Sequence, residues 1–211
     1  MSTFRFAIMG AGNIAHQFCD AVTLVEDCEV SAIASKDLGR AQKFAEECSV
    51  AHAYDNYEQM LIEEKPDCVY IAVTPNDHFR LTMLCLEHRV PVLCEKAMFT
   101  NSAEAKAVFE KAEKDQTFVM EAMWSRFLPA VNQAKKWAAE GKIGRLEALQ
   151  GRIGFLAPEG ADNRYHSPLL CGGAATDITV YAYEIATWLV NEPVRKTYAA
   201  ANLDQTGVFD I

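Results

Sequence analysis

The chain has 211 residues, half of them hydrophobic, enough to bury the core of one or two domains. Its 29 acidic and 20 basic residues give a net charge of -9 with no basic block, which argues against a nucleic acid or an anionic membrane as partner. The first apolar run is short and interrupted by Arg5, so neither a signal peptide nor a membrane span is read, and a cytoplasmic location is expected.

Phe4 to Met9 reads as a strand and Asn13 to Val25 as a helix, with Gly10, Gly12 and Ala15 at the junction. Strand, glycine turn, helix is the context a dinucleotide fingerprint requires. Gly10 allows the tight turn and Gly12 lets backbone approach a pyrophosphate. Ala15 keeps the helix close to the sheet while the first helical amides, at Asn13 and Ile14, face the phosphates.

Glu29 to Ala34 reads as a second strand, followed by a helix from Leu38 to Glu47. The end of this strand is where such a fold meets the adenosine ribose, and an acidic residue there binds the free 2'-hydroxyl of NAD. Ser35 and Lys36 stand there instead, with Arg40 one helical turn after Lys36. A hydroxyl and two cations suit a 2'-phosphate, which favours NADP; Asp37 keeps NAD open. Taken separately, Lys36 and Arg40 also read as solvated charges at a helix start.

A short strand from Val50 to Tyr54 and a helix from Tyr57 to Glu63 come next. Cys68 to Val73 is an apolar, buried strand. Its end, Thr74, Pro75, Asn76, Asp77 and His78, lies on the edge where ligands bind in parallel α/β folds, and a helix then runs to His88. The strand Pro91 to Cys94 ends in Glu95 and Lys96, a charged pair that is either a solvated loop or aimed into the cleft. A helix from Ser102 to Lys114 and a strand from Thr117 to Met120 complete the alternation. The expected fold class is therefore α/β, a doubly wound parallel Rossmann sheet over residues 1–122.

Residues 123–211 read as an α+β domain. Met123, Trp124, Arg126, Phe127, Leu128 and Pro129 form an aromatic joint, then Ala130 to Glu140 is a helix stopped by Gly141. A strand pattern covers Leu146 to Phe155, a loop holds Pro158, Gly160 and Pro168, a helix runs from Ala174 to Val190, and a strand from Lys196 to Leu203. The seven cysteines (Cys19, Cys28, Cys48, Cys68, Cys85, Cys94, Cys171) include no C-x-x-C pair and read as buried free thiols. The five histidines show no ligand spacing, and no metal is expected.

Several of these segments together resemble one family. The opening GAGNIA, the strand end Thr74 to His78, Cys94-Glu95-Lys96, the joint from Met120 to Phe127 and the segment from Gly172 to Tyr181 resemble the Gfo/Idh/MocA oxidoreductases, in the same order. The likeness is nearest to the dimeric dihydrodiol dehydrogenase and NADP-dependent D-xylose dehydrogenase branch. It implies a catalytic site shared by Lys96 and Tyr181, with Asp177 one helical turn before the tyrosine. It further implies a substrate pocket lined by Trp124 and Phe155, and a cofactor edge that includes Thr74, Pro75, Asn76, His78, Glu95 and Lys96. Lys36 and Arg40 fall where that branch keeps basic residues for the 2'-phosphate. Arg126 either orients the pocket or forms a surface salt bridge.

Three positions depart from the family pattern: Ala97 follows Lys96 where proline is usual, and Cys171 and Thr179 replace frequent glycines. None removes a chemical group. Members of the family extend well beyond residue 211 into a large open, largely antiparallel sheet that makes a homodimer contact. The sheet is therefore expected to be incomplete here, from truncation or for want of a completing partner, leaving an exposed edge and an uncovered apolar face.

The residue types suit alcohol oxidation, in which a hydride passes to the nicotinamide and the hydroxyl proton needs an acceptor. A tyrosine titrating near ~10 is a poor base at neutral pH, but a nearby ammonium such as Lys96 favours the phenolate. In reverse, Tyr181 would protonate the alkoxide. The reading is an NADP-dependent oxidoreductase acting on a secondary hydroxyl or carbonyl of a small polyol, a sugar or a cyclic trans-diol. One alternative is a nucleotide-binding sensor or scaffold without turnover, which needs neither Lys96 nor Tyr181. Another is an NAD-dependent sugar or inositol dehydrogenase, which would place an acid at Ser35 or Lys36.

Overall fold

The computed structural model describes residues 3–158, 160 and 163–210, and its contacts divide the chain into two compact units, Met1–Ala122 and Met123–Ile211. Six strands build the first unit: β1 (Phe4–Met9), β2 (Cys28–Ala34), β3 (His52–Tyr54), β4 (Cys68–Ile71), β5 (Val92–Cys94) and β6 (Val119–Glu121). They form one sheet in the order β3-β2-β1-β4-β5-β6, and every neighbouring pair is parallel. The order reverses between β1 and β4, so the carboxyl ends of these two strands flank the crevice where open α/β sheets bind ligands.

Period-two alternation sorts the strand residues onto two faces. Ala7, Met9, Ala32, Ala34, Val69 and Ile71 pack on one side against Tyr57, Met60, Leu61, Leu81 and Cys85. Ile8, Ile33 and Tyr70 pack on the other against Ala15, Cys19 and Phe44. Both faces are covered, which is why these strands are nearly continuous apolar runs. Ile8 and Ile33 are fully buried, each contributing roughly 1.5–3 kcal/mol.

The covering helices are α1 (Asn13–Val22), α2 (Leu38–Cys48), α3 (Tyr57–Glu64), α4 (Pro75–Glu87) and α5 (Ser102–Asp115). Side-chain caps set three of their starts: Asp37 accepts from the Arg40 amide, Asn56 from Gln59 and Asn101 from Glu104. The same three helices end on residues in the left-handed region, Ser49, Lys65 and Gln116. Helix α1 stops at Val22 rather than Val25; the Thr23 hydroxyl turns back to donate to the Asp20 carbonyl at 2.7 Å. Strand β4 likewise ends at Ile71, ahead of Val73.

In the second unit a 3-10 turn (Trp124–Phe127) leads into α6 (Pro129–Ala139), and two further 3-10 turns precede α7 (Ala174–Asp177) and α8 (Thr179–Val190). Its strands are a two-residue antiparallel hairpin, β7 (Asn202–Leu203) and β8 (Phe209–Asp210). Two expectations are corrected here. Leu146 to Phe155 forms no strand, and of Lys196 to Leu203 only the last two residues do. A strand exists only through its ladder, and among the described residues no segment pairs with Leu146 to Phe155 or with Lys196 to Ala201. The predicted helix from Ala174 to Val190 breaks at Ile178, whose φ of -126° leaves the helical region, beside a Thr179 hydroxyl that donates back to the Ala174 carbonyl at 2.9 Å. Leu156, Leu169, Tyr198 and Leu203 are exposed.

Candidate functional site

Gly10 ends β1 with φ +110°, and a Cβ there would lie 2.7 Å from the Ala72 carbonyl oxygen. The turn is pressed against the end of β4, and only glycine fits. At Gly12 the same construction meets nothing nearer than 3.9 Å, so backbone is bare on that side. Gly12 is also the N-cap of α1 and supplies no side-chain cap, leaving the first amides of the helix, at exposed Asn13 and Ile14, to an outside acceptor. These features fit a dinucleotide pyrophosphate.

At the ribose edge the residues separate. Ser35 is buried and its hydroxyl accepts from the Asp37 amide at 3.5 Å. The Asp37 carboxylate accepts from the Arg40 amide at 2.7 Å and is committed to capping α2. Lys36 is exposed and its ammonium pairs with Asp77 at 2.5 Å, while an Arg40 guanidinium nitrogen reaches the Ala11 carbonyl of the glycine turn at 3.4 Å. Burial works to raise the Asp77 carboxyl; the Lys36 hydrogen bond and the Arg80 charge outweigh it and hold the group below the usual carboxylate range.

Thr74, half-buried, precedes α4 as its N-cap; Pro75 is buried at the first helical position, and Asn76 is exposed. His78 is fully buried, and its ring nitrogens face backbone carbonyls. Nδ1 lies 3.0 Å from the Ala97 carbonyl and 3.2 Å from that of Met98, and Nε2 lies 3.0 Å from that of Val73. Burial lowers its pKa, against the opposing pull of these carbonyls. The ring braces the end of β4 against the turn that carries Lys96. Replacing His78 with alanine removes a buried ring and its hydrogen bonding to the backbone, and a loss of about 2–4 kcal/mol is expected from urea denaturation monitored by circular dichroism.

Glu95 accepts from the Tyr70 hydroxyl at 2.5 Å and from the Lys96 amide at 3.2 Å. Burial raises its pKa, against those hydrogen bonds. Its carboxylate thus shapes the turn, and the half-buried Lys96 follows it. The Lys96–Ala97 peptide is cis, at the position where the family pattern has proline.

In the second unit the Trp124 indole N–H donates to the Tyr181 hydroxyl at 3.0 Å, with the rings edge to face. Tyr181 is buried and Trp124 is exposed. Arg126 pairs with buried Glu184, which also accepts from the Ser125 hydroxyl at 2.9 Å, and its guanidinium lies 4.3 Å from the Trp188 ring centroid. The protein itself therefore holds Arg126 in a salt bridge and against an aromatic face. Asp177 pairs with Arg164 at 3.1 Å and, because of the break at Ile178, does not share a continuous helix with Tyr181. Phe155 and Asp177 border a cavity of about 690 Å³ with Tyr165 and His166; neither Trp124 nor Tyr181 lines it. The sequence reading missed Glu184 and the Asp77 pairing, whose partners lie 58 and 41 residues away in the chain, too far for any local pattern to signal.

Two family models match the chain: "Oxidoreductase family, NAD-binding Rossmann fold" over residues 4–123, and "GFO/IDH/MocA C-terminal domain" over residues 131–211. The chain belongs to the Gfo/Idh/MocA oxidoreductase family. Among family relatives, the trans-1,2-dihydrobenzene-1,2-diol dehydrogenase of Mus musculus is 32% identical over 212 residues, covering 98% of this chain and 62% of the relative. The chain thus spans about three fifths of the length of that curated relative. Among solved structures, GenD2 from gentamicin A biosynthesis in complex with NAD superposes with a TM-score of 0.85 at 17% identity, over 100% of this chain and 61% of that one. A variant of a 3-ketoreductase from Actinomadura kijaniata, in complex with TDP-benzene and NADP, gives a TM-score of 0.63 at 26% identity over 68% of this chain and 44% of that one. Among the described residues no helix is long and apolar enough to cross a membrane, and all seven cysteines are free, with burial pushing Cys19 and Cys68 up to about 12.

Proposed function

We propose that this protein is an NADP-dependent oxidoreductase that interconverts a secondary hydroxyl and a carbonyl on a small polyol, either a sugar or a cyclic trans-diol. Tyr181 is its acid and base, and Lys96 the electrostatic partner of Tyr181. The observation that carries the reading is the hydrogen bond from Trp124 to the buried Tyr181 hydroxyl. An indole N–H only donates, so the phenolic oxygen is fixed as acceptor and its own proton is directed elsewhere, as a proton-transfer group requires. When bound, the nicotinamide supplies the hydride acceptor or donor. In the oxidative direction the Tyr181 phenolate, its charge stabilised by the Trp124 N–H, takes the substrate hydroxyl proton and becomes the neutral phenol as the carbon loses its hydride. Gly12 and the uncapped start of α1 hold the pyrophosphate, and Lys36 with Arg40 favours a 2'-phosphate over a bare hydroxyl.

The test is to mix the protein with NADP or NAD and a panel of aldoses, cyclitols and dihydrodiols while following absorbance of the reduced nicotinamide. Turnover with NADP and one polyol class supports the reading; tight NADP binding with no turnover on any substrate would favour a sensor. Lys36→Ala is expected to weaken NADP about tenfold, and NAD little, in a fluorescence titration of the reduced nucleotides.

A further inference from the structure

The Lys36–Asp77 pair joins segments that follow two different strands. Lys36 lies just beyond β2, Asp77 sits in the first turn of α4 beyond β4, and β1 with its glycine turn lies between these strands. The pair therefore spans the carboxyl end of β1. Lys36 is largely exposed, whereas the Asp77 side chain is only 16% exposed and is held from behind: Arg80 Nε contacts its other oxygen at 3.3 Å, and the Asp77 amide donates to the Thr74 carbonyl at 3.0 Å. Arg80 in turn lies 5.9 Å from the Tyr57 ring centroid. The carboxylate is the anchored partner and the lysine the exposed one. The other acid of this edge, Asp37, is occupied as a helix cap, so Asp77 is the carboxylate that meets the ammonium.

We infer that Asp77 is a specificity-determining residue: its carboxylate competes with the 2'-phosphate of NADP for Lys36 and so limits the preference for NADP over NAD. This rests on the NADP reading above. A lysine paired with an anchored carboxylate has its charge partly neutralised before it meets a phosphate, and the neighbouring carboxylate repels the phosphate. A free 2'-hydroxyl carries no charge and feels neither effect. The two dinucleotides thus respond differently to the same pair.

The experiment titrates NADPH and NADH, by the fluorescence of the reduced nucleotide, against the whole chain and its Asp77→Asn, Lys36→Ala and doubly substituted forms. Asparagine keeps the shape and the contact with Arg80 while removing the charge. Asp77→Asn is expected to tighten NADPH about tenfold and to change NADH less than about threefold, and this gain disappears when Lys36 is already alanine. Retained NADH binding shows that each variant is folded. Asp77→Asn leaving NADPH affinity unchanged, while Lys36→Ala weakens it, overturns the role of Asp77 and leaves the NADP reading standing. A gain that persists without Lys36 also overturns it, because the carboxylate then acts without the lysine. If Lys36→Ala weakens neither nucleotide, the assignment of Lys36 to the phosphate fails, and the competition proposed for Asp77 fails with it.

Discussion

Replacing Tyr181 with phenylalanine is expected to lower turnover roughly 10²- to 10⁴-fold, the range set by losing a positioned acid-base group. The substitution removes one oxygen, which is the acceptor of the Trp124 N–H. The ring keeps its packing, and Tyr181 belongs to a different compact unit from the glycine turn. Nucleotide affinity, measured by fluorescence of the reduced cofactor, is therefore expected to stay within about twofold of the parent, so that the loss falls on kcat. Trp124→Phe provides the companion measurement: it keeps an aromatic wall but deletes the donor, and a smaller loss is expected. Normal turnover in Tyr181→Phe would remove this residue from the chemistry.

The second large effect is expected at the first glycine. Gly10→Ala places a methyl 2.7 Å from the Ala72 carbonyl oxygen, 2.8 Å from its carbon and 2.9 Å from a Val73 methyl, at a φ of +110°. Backbone strain of about 1–3 kcal/mol and overpacking of about 1–3 kcal/mol combine against a typical total stability of about 5–15 kcal/mol. A marked fall in the urea midpoint is expected, with nucleotide binding lost alongside. Gly12→Ala separates the two consequences. Its methyl meets nothing nearer than 3.9 Å within the protein, so stability is expected to hold while the dinucleotide is lost. Equal stability of Gly10→Ala and the parent would contradict the packing described for this turn.

The first unit was readable because its physics is local. Buried parallel strands are apolar runs, and the glycines after β1 mark a turn where the backbone lies bare. What escaped the sequence depends on partners far along the chain. His78 stands in a motif that suggests a ligand, yet its ring is consumed by the carbonyls of Val73, Ala97 and Met98. Ser35 has the chemistry of a phosphate ligand and is folded into its own turn. Leu146 to Phe155 carries the apolar pattern of a strand, but such a pattern does not provide a neighbour to pair with. The break at Ile178 lies beside Thr179, a position the sequence marked as a departure from the family pattern without marking a helix end.

The left-handed helix ends at Ser49, Lys65 and Gln116 give the sheet two unlike rims. All three sit where a helix hands over to β3, β4 or β6, on the rim opposite the glycine turn, at φ values of 56°, 46° and 51°. A side chain in that conformation carries a penalty of roughly 1–2 kcal/mol that glycine escapes. The rim that meets the nucleotide already has glycine where geometry demands it, whereas the far rim tolerates residues that geometry disfavours. Adaptation to heat or to a weakened core therefore has room on the side of the molecule where chemistry makes no claim.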